Sequence, residues 1–277
     1  MPNERRRGTT SDGGPGARGR GTLAGKELFL FDLDGVFYKG KESRVKLGGT
    51  KAVEALRERG RRLLVVTNNS TDSTETIWRR LAEFDIPVRR EEVLTSGALT
   101  AEFLKERHGE VTYFLVGEDG LEEEMSRLGH RRSDRDETRF VVIGLDRKLT
   151  YEKLDRAARL ARAGARLVAT HSSRVYMSKD GPAMAPGPIV KALEFASGAK
   201  ATVIGKPSPL MFKMALKRCS CSSGAAVMVG DQLETDYEGA RRAGIDFVLV
   251  KTGVDRSAEG EGILAVLPSV DSLTRLL

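Results

Sequence analysis

Leu28-Phe29-Leu30-Phe31 is apolar at every position and stops abruptly at Asp32-Leu33-Asp34-Gly35. The same pattern recurs at 63–66, ending in Thr67-Asn68-Asn69-Ser70, and at 225–229, ending in Gly230-Asp231. A strand with one wet face alternates apolar and polar residues. An uninterrupted apolar run this short is what a strand covered on both faces requires. Helix-spaced apolar residues fill 51–59 and 74–84, with Gly60 and Ile86-Pro87 as stops. Strand, helix, strand, helix predicts an α/β fold around a parallel sheet. The alternation returns near the C-terminus: a strand at 201–204, helices at 209–218 and 234–243, and strands at 225–229 and 247–250.

Between these halves, 111–116, 140–144 and 166–170 read as strands, and 122–128 and 151–163 as helices. A stretch of this length suffices for an inserted α/β unit. The expected organisation is a tail at 1–25, a core from 26–95 plus 200–277, and an inserted domain at 96–199.

Composition narrows the class. Of 277 residues, 40% are hydrophobic, enough for a sizeable core. Two cysteines exclude a disulfide framework and a four-cysteine zinc site. No apolar run approaches the ~18 residues of a membrane span. The net charge of +7 raises the question of a nucleic-acid partner. Residues 1–25 carry +3 of it, in a Gly-, Arg-, Ser- and Thr-rich tail with little to bury, expected to be disordered. Arg5-Arg6-Arg7 lacks the apolar segment of an export signal, so a cytoplasmic protein is expected. An Arg-rich tail contacting RNA phosphates is the rival to a merely solvated one.

In open parallel sheets, ligands bind at the carboxyl ends of the strands. Those ends here collect Asp32 and Asp34, Thr67 and Asn68, and Asp231 with Asp236 five residues on; Lys206 follows the strand at 201–204. The later acids of a calcium loop do not follow Asp34-Gly35; Phe37, Tyr38 and Lys39 do. Four carboxylates and one Lys gathered in one crevice repel unless a cation sits among them, and oxygen ligands select a hard ion, Mg²⁺. Carboxylates, a hard cation, a hydroxyl and a Lys are the parts of phosphoryl transfer. A carboxylate can then be the nucleophile, and a neighbouring acid the proton donor and acceptor.

The ordered set D-L-D-G, T-N-N-S, G-K-P and G-D-Q-L-E-T-D resembles the haloacid dehalogenase (HAD) superfamily of phosphatases. The double Asn, Gly144-Leu145-Asp146 before Thr150-Tyr151-Glu152, and the phrase at 205–209 resemble its NagD-like class IIA, the p-nitrophenylphosphatase and phosphoglycolate phosphatase relatives. The resemblance covers about 27–270. It implies a Rossmann-like core with an inserted α/β cap, and a Mg²⁺-dependent phosphomonoesterase of small phosphorylated metabolites. Residue by residue, it implies Asp32 as nucleophile and Asp34 as general acid and base. Thr67, Asn68 and Lys206 would bind the transferring phosphate. The metal would be held by Asp32, the Asp34 carbonyl and Asp231, with Asp236 supporting it. Caps in this family often take part in dimers, so the resemblance also suggests a homodimer through the cap; no membrane is expected as a partner.

Two cap phrases depart from the family pattern. The Thr-Asn-x-Asp position reads Thr170-His171-Ser172-Ser173-Arg174, and the Pro-Gly-x-Gly position reads Pro186-Gly187-Pro188-Ile189. His171 and Arg174 are therefore candidate contacts to an anionic substrate, against a bonded structural His and a solvated Arg. Cys219 and Cys221 read as inert thiols, and Trp78 as packing. The functional rivals are a phosphotransferase or phosphomutase with the same intermediate, and a nucleic-acid-binding protein acting through its tail.

Overall fold

A computed structural model describes residues 23–40, 45–178 and 180–277. The expected tail at 1–25 lies almost wholly outside the described residues. The chain runs β1 (Leu28–Phe31), α1 (Thr50–Glu58), β2 (Arg62–Thr67), α2 (Thr74–Glu83), β3 (Val93–Thr95) and α3 (Ser96–His108). It continues through β4 (Thr112–Val116), α4 (Asp119–Arg127), β5 (Arg131–Arg132), β6 (Phe140–Ile143), α5 (Tyr151–Arg162) and β7 (Arg166–Ala169). A hairpin follows, β8 (Val175–Ser178) and β9 (Gly181–Met184), then α6 (Pro186–Ser197), β10 (Thr202–Val203) and α7 (Pro209–Arg218). The end of the chain supplies β11 (Ala226–Gly230), α8 (Glu238–Arg242), β12 (Asp246–Val250) and β13 (Ile263–Leu267).

Six strands form one sheet in the order β13-β12-β11-β1-β2-β3, parallel throughout. Its faces follow the period of two that a strand imposes. Leu28 and Leu30 point into one cluster with Met211, Phe212 and Ala215 of α7, whereas Phe29 and Phe31 point into another with Val53 and Leu56 of α1 and Ile77 and Leu81 of α2. Both faces are dry, as the continuous apolar runs require. β1 lies centrally, so Asp32 leaves the sheet at mid-edge.

A second, five-stranded sheet has the order β10-β7-β6-β4-β5 and is also parallel. One face is covered by α5 and α6, through Ala157, Leu160, Ile189 and Leu193. Its other face, with Tyr113, Leu115 and Val142, joins Leu99 and Leu104 of α3 in the same cluster as Leu28 and Leu64 of the first sheet. The two sheets therefore share one hydrophobic cluster.

Several elements differ from expectation. The strand expected at 201–204 is two residues long and pairs with β7 in the second sheet, so the chain returns to the first sheet only after Val203. β3 and β13 are additional strands; β3 has three residues, too few to show a pattern. α3 is buried along Ser96 to Ala101 and so carries no amphipathic stripe to read. The helix expected at 234–243 opens as a π-helical turn, Leu233–Tyr237, which continues into α8.

Candidate active site

Four adjacent strands, β12, β11, β1 and β2, deliver their carboxyl ends to one crevice, and β10 of the second sheet leads into it from above. Asp32 follows β1. Its Oδ1 receives Lys206 Nζ at 2.5 Å, and the same ammonium reaches Asp236 Oδ1 at 2.7 Å. The Lys206 and Asp236 side chains are 2% and 0% exposed. An ammonium this deeply buried persists only when paired. The two carboxylates hold its pKa above the ordinary lysine range despite the opposing effect of burial.

Asp236 does two jobs. While Oδ1 holds Lys206, Oδ2 accepts the backbone N–H groups of Asp231 and Gln232, at 3.1 and 3.2 Å. Thus the turn after β11 closes around the Asp236 carboxylate. Asp231 Oδ2 accepts the Val254 N–H at 2.8 Å. That bond comes from the loop after β12, which sequence reasoning missed. Its Gly253 lies so close that a Cβ there would sit 1.7 Å from Asp231 Oδ2. A Thr-Gly pair one residue after a buried strand, at the same sheet edge as the acids, was the available signal.

Asp32, Asp231 and Asp236 each offer an oxygen within 4.8 Å of the others. Burial, reinforced by repulsion from Asp32, raises the pKa of both Asp231 and Asp236. Three carboxylates against one ammonium leave two negative charges unbalanced when all are ionised. Oxygen-only donors and that charge fit a hard divalent cation. The expected metal ligands Asp32 and Asp231 are together here, and Asp236 stands with them.

Asp34 is two residues along, on the same chain turn. Its Oδ1 is buried with no hydrogen-bond partner. Burial first, then the negative charge of Asp32, pushes its pKa up to about 7. A carboxyl so placed carries a proton at near-neutral pH, as a donor to a leaving oxygen must.

Thr67 is the last residue of β2, and Asn68 follows it. Thr67 Oγ1 accepts the Asn69 N–H at 3.1 Å, and Ser96 Oγ, at the start of α3, donates to the Asn68 carbonyl at 2.8 Å. Asn69 caps the following turn by accepting the N–H groups of Thr71 and Asp72. The Asn68 amide donates to the Lys206 carbonyl at 2.9 Å, while its Oδ1 is buried without a partner. Asn68 is thus tied to the Lys206 backbone. The packing is close enough that a Cβ on Gly205 would lie 2.4 Å from Asn68 Oδ1.

The segment after β7 descends onto this junction. His171 Nδ1 lies 3.1 Å from Ser173 Oγ, and Asn68 Nδ2 reaches the same hydroxyl at 3.5 Å. His171 is buried. That burial, with the nearby Lys206 charge, holds its pKa down at about 4, so the ring is neutral. Arg174 is brought to the rim instead: it is 80% exposed and pairs with Glu234 at 3.1 Å, linking the segment after β7 to the turn after β11. Sequence reasoning also missed Ser96, which carries no motif, and Ser173, which reads only as part of the altered Thr-Asn-x-Asp phrase; both matter through their contacts.

Comparison with known proteins agrees with this geometry. Residues 29–131 match the family described as haloacid dehalogenase-like hydrolase, and 203–275 match a second HAD-like hydrolase family. An acid sugar phosphatase of Staphylococcus epidermidis is 32% identical over 228 residues, 82% of this chain and 87% of the relative. The 5'-nucleotidase YutF of Bacillus subtilis is 31% identical over 251 residues, 89% of this chain and 95% of the relative. The crystal structure of a 4-nitrophenylphosphatase from Thermotoga maritima superposes with a TM-score of 0.84 at 34% identity, covering 91% of this chain and 98% of that one. With Asp32, Lys206 and the Asp231 turn gathered at one sheet edge, and relatives of this similarity along nearly the whole described chain, the protein belongs to the NagD-like class IIA branch of the haloacid dehalogenase superfamily and is a phosphoric monoester hydrolase.

Proposed function

We propose that the protein is a Mg²⁺-dependent phosphomonoesterase of small phosphorylated metabolites, working through an aspartyl-phosphate on Asp32. The observation that carries this is the Lys206 ammonium held between Asp32 and Asp236 beside Asp231. Lys206 Nζ holds Asp32 Oδ1 and so fixes which oxygen remains free to attack phosphorus. As the bond between phosphorus and the ester oxygen breaks, the Asp34 carboxyl gives its proton to the leaving alcohol. Asp34, now a carboxylate, takes a proton from water as that water attacks the phosphorus of the acyl phosphate, releasing inorganic phosphate and restoring Asp32. Asp32, Asp231 and the Asp34 carbonyl, supported by Asp236, would hold the Mg²⁺, which neutralises charge developing on the phosphoryl oxygens. Thr67, Asn68 and Lys206 would receive those oxygens, with Lys206 opposing their charge.

We place the core at 26–95 plus 204–277 and the cap at 96–203, where the sequence puts the second crossing at 199/200. Two separate parallel sheets support this division, with β10 moving the second crossing to just after Val203. The cap segment at 170–174 lies over Asn68 and Lys206, so it would roof the crevice and limit substrates to small ones. Sugar phosphates, phosphoglycolate, glycerol phosphate and nucleoside monophosphates are the candidates. A homodimer through the cap has its support in the hairpin β8–β9, whose Val175, Met177 and Met184 side chains are exposed on one face. Among the described residues no helix is long and apolar enough to cross a membrane.

The test is hydrolysis of p-nitrophenyl phosphate and a panel of phosphate esters with and without Mg²⁺. Turnover that needs the metal and disappears in Asp32→Asn is expected. No hydrolysis of any ester, or full activity in Asp32→Asn, overturns the assignment.

A further inference from the structure

At the edge of the second sheet where its strands begin, on the face that α3 covers, an open cavity of about 340 Å³ lies between the C-terminal end of α3 and the starts of β6, β7 and β10. Its floor is apolar and buried, with Phe140 and Val168. Its walls are basic and aromatic. The Arg107 guanidinium lies 5.0 Å from the centre of the Phe103 ring, and the His108 ring is 5.0 Å from that of Phe140. Arg166 lines the opposite wall, and Arg139 stands next to Phe140.

None of Arg107, Arg139 and Arg166 forms an ion pair among the described residues. The nearby acids face other cations: Glu106 pairs with Lys217 at 2.9 Å, Glu110 with Lys105 at 2.9 Å, Asp136 with Arg156 at 2.7 Å, and Glu137 lies 3.9 Å from Arg135. The field inside is consequently cationic. His108 registers it: its pKa is lowered by partial burial and then by Arg166, Arg139 and Arg107, with no acid opposing them. Three solvent-exposed arginines without ion-pair partners, beside the exposed His108 ring and the partly exposed Phe103, are free to meet an anion at the mouth of the cavity. Guanidinium forks match phosphate oxygens, and flat rings and guanidinium planes match a planar heterocycle.

We propose that this cavity is a second ligand site, separate from the crevice at Asp32, and that it binds a nucleoside monophosphate. Arg107 and Arg166 take the phosphate, and the base lies against the rings of His108 and Phe103. The volume is at the small end of ligand cavities, which suits one nucleotide and not a dinucleotide. Both walls lead to the crevice. α3 begins at Ser96, which holds the Asn68 carbonyl, and β10 precedes Lys206 by one short turn. Thirteen residues of α3 separate the two sites by about 20 Å of helix. The proposal does not depend on the phosphatase assignment.

The three histidines of the chain, His108, His130 and His171, make the test direct. His108 lines the cavity, His171 the crevice, and His130 is buried between the Val111 N–H and the Ala101 carbonyl. AMP is titrated into the full-length protein in EDTA while the imidazole proton resonances are followed, each assigned from its His→Gln variant. A saturable shift of His108 is expected, weakened at least tenfold in Arg107→Gln/Arg166→Gln. The double variant should keep its circular-dichroism spectrum and its p-nitrophenyl phosphate turnover. A His108 signal that stays still while His171 moves would confine the nucleotide to the crevice and overturn the proposal. So would an unchanged affinity in the double variant, or adenosine binding as tightly as AMP.

Discussion

The crevice at the ends of β1, β2 and β11 and the cap segment at 170–174 touch at Asn68, yet they are built on opposite principles. In the crevice, buried charges hold one another. Lys206 is shared by Asp32 and Asp236, and Asp236 also fixes the backbone that presents Asp231. Removing Lys206 would leave the buried carboxylates facing one another without a counter-charge. In the cap segment, one neutral buried His and one exposed Arg contribute singly, through a hydroxyl and a surface ion pair. The difference teaches where change is tolerated: a coupled charge network can hardly vary, while the segment facing it can be rewritten to suit another substrate.

The sharpest way to break this contrast is Asp32→Asn. Turnover should fall at least ~10³-fold, as expected when a nucleophile is removed. Lys206 retains Asp236, so the thermal midpoint should change little; a collapse of stability instead would make Asp32 a structural partner first. Asp34→Asn comes next, with a loss of about 10²–10⁴ on alkyl phosphates. The loss should be much smaller on p-nitrophenyl phosphate, whose leaving group departs without a proton. Equal losses on both esters would remove the acid role from Asp34.

Lys206→Met should cost about 3–5 kcal/mol of stability near neutral pH, because three carboxylates are left facing one another. Asp231 and Asp236 have folded pKa values raised above their unfolded ones. Their mutual penalty is therefore full at high pH and fades as pH falls and they take up protons. Denaturant titrations at several pH values, with and without Mg²⁺, check this; a variant no more stable in acid or with metal would count against the charge network.

For His171 the sign reverses. Its folded pKa is depressed to about 4 from 6.5. The native state is thus undisturbed above pH 6.5 and loses up to about 3 kcal/mol as pH falls toward 4, because only the unfolded chain accepts the proton. His171→Gln should remove that slope while changing turnover only modestly; an unchanged slope would show that the ring is not buried neutral. Arg174→Ala should have the smallest effect, within about 1 kcal/mol on stability, as for other exposed pairs. A tenfold rise in KM with unchanged kcat would instead make Arg174 a substrate contact, and the cap segment more specialised than its geometry indicates.

The catalytic half of the crevice was legible because each group directly follows a continuous apolar run: Asp32 after β1, Thr67 after β2, Asp231 after β11. The period-two packing of Leu28 and Phe29 into opposite clusters is the same rule seen from within. The second sheet was legible in most of its strands, but not in its membership, since nothing local says that Thr202 and Val203 pair with β7. Ser96, Ser173 and the 252–255 loop escaped because a serine or glycine acquires a role only from what stands opposite it.

The sequence by itself determined the α/β alternation, the order of the acids and Lys206 along the chain, and the residues available to hold a cation. Those are local properties, set by side-chain chemistry and by strands that must be apolar on both faces. Only the tertiary structure decided that Lys206 is shared between Asp32 and Asp236, that Asn68 is tied to its carbonyl, that Arg174 stands at the rim, and that Arg107 of α3, Arg139 just before β6 and Arg166 of β7 come together without ion-pair partners. Each of these depends on groups distant in the chain meeting, and no stretch of sequence contains both partners; at Lys206 and Asn68 they meet in a medium where an unpaired polar group is costly.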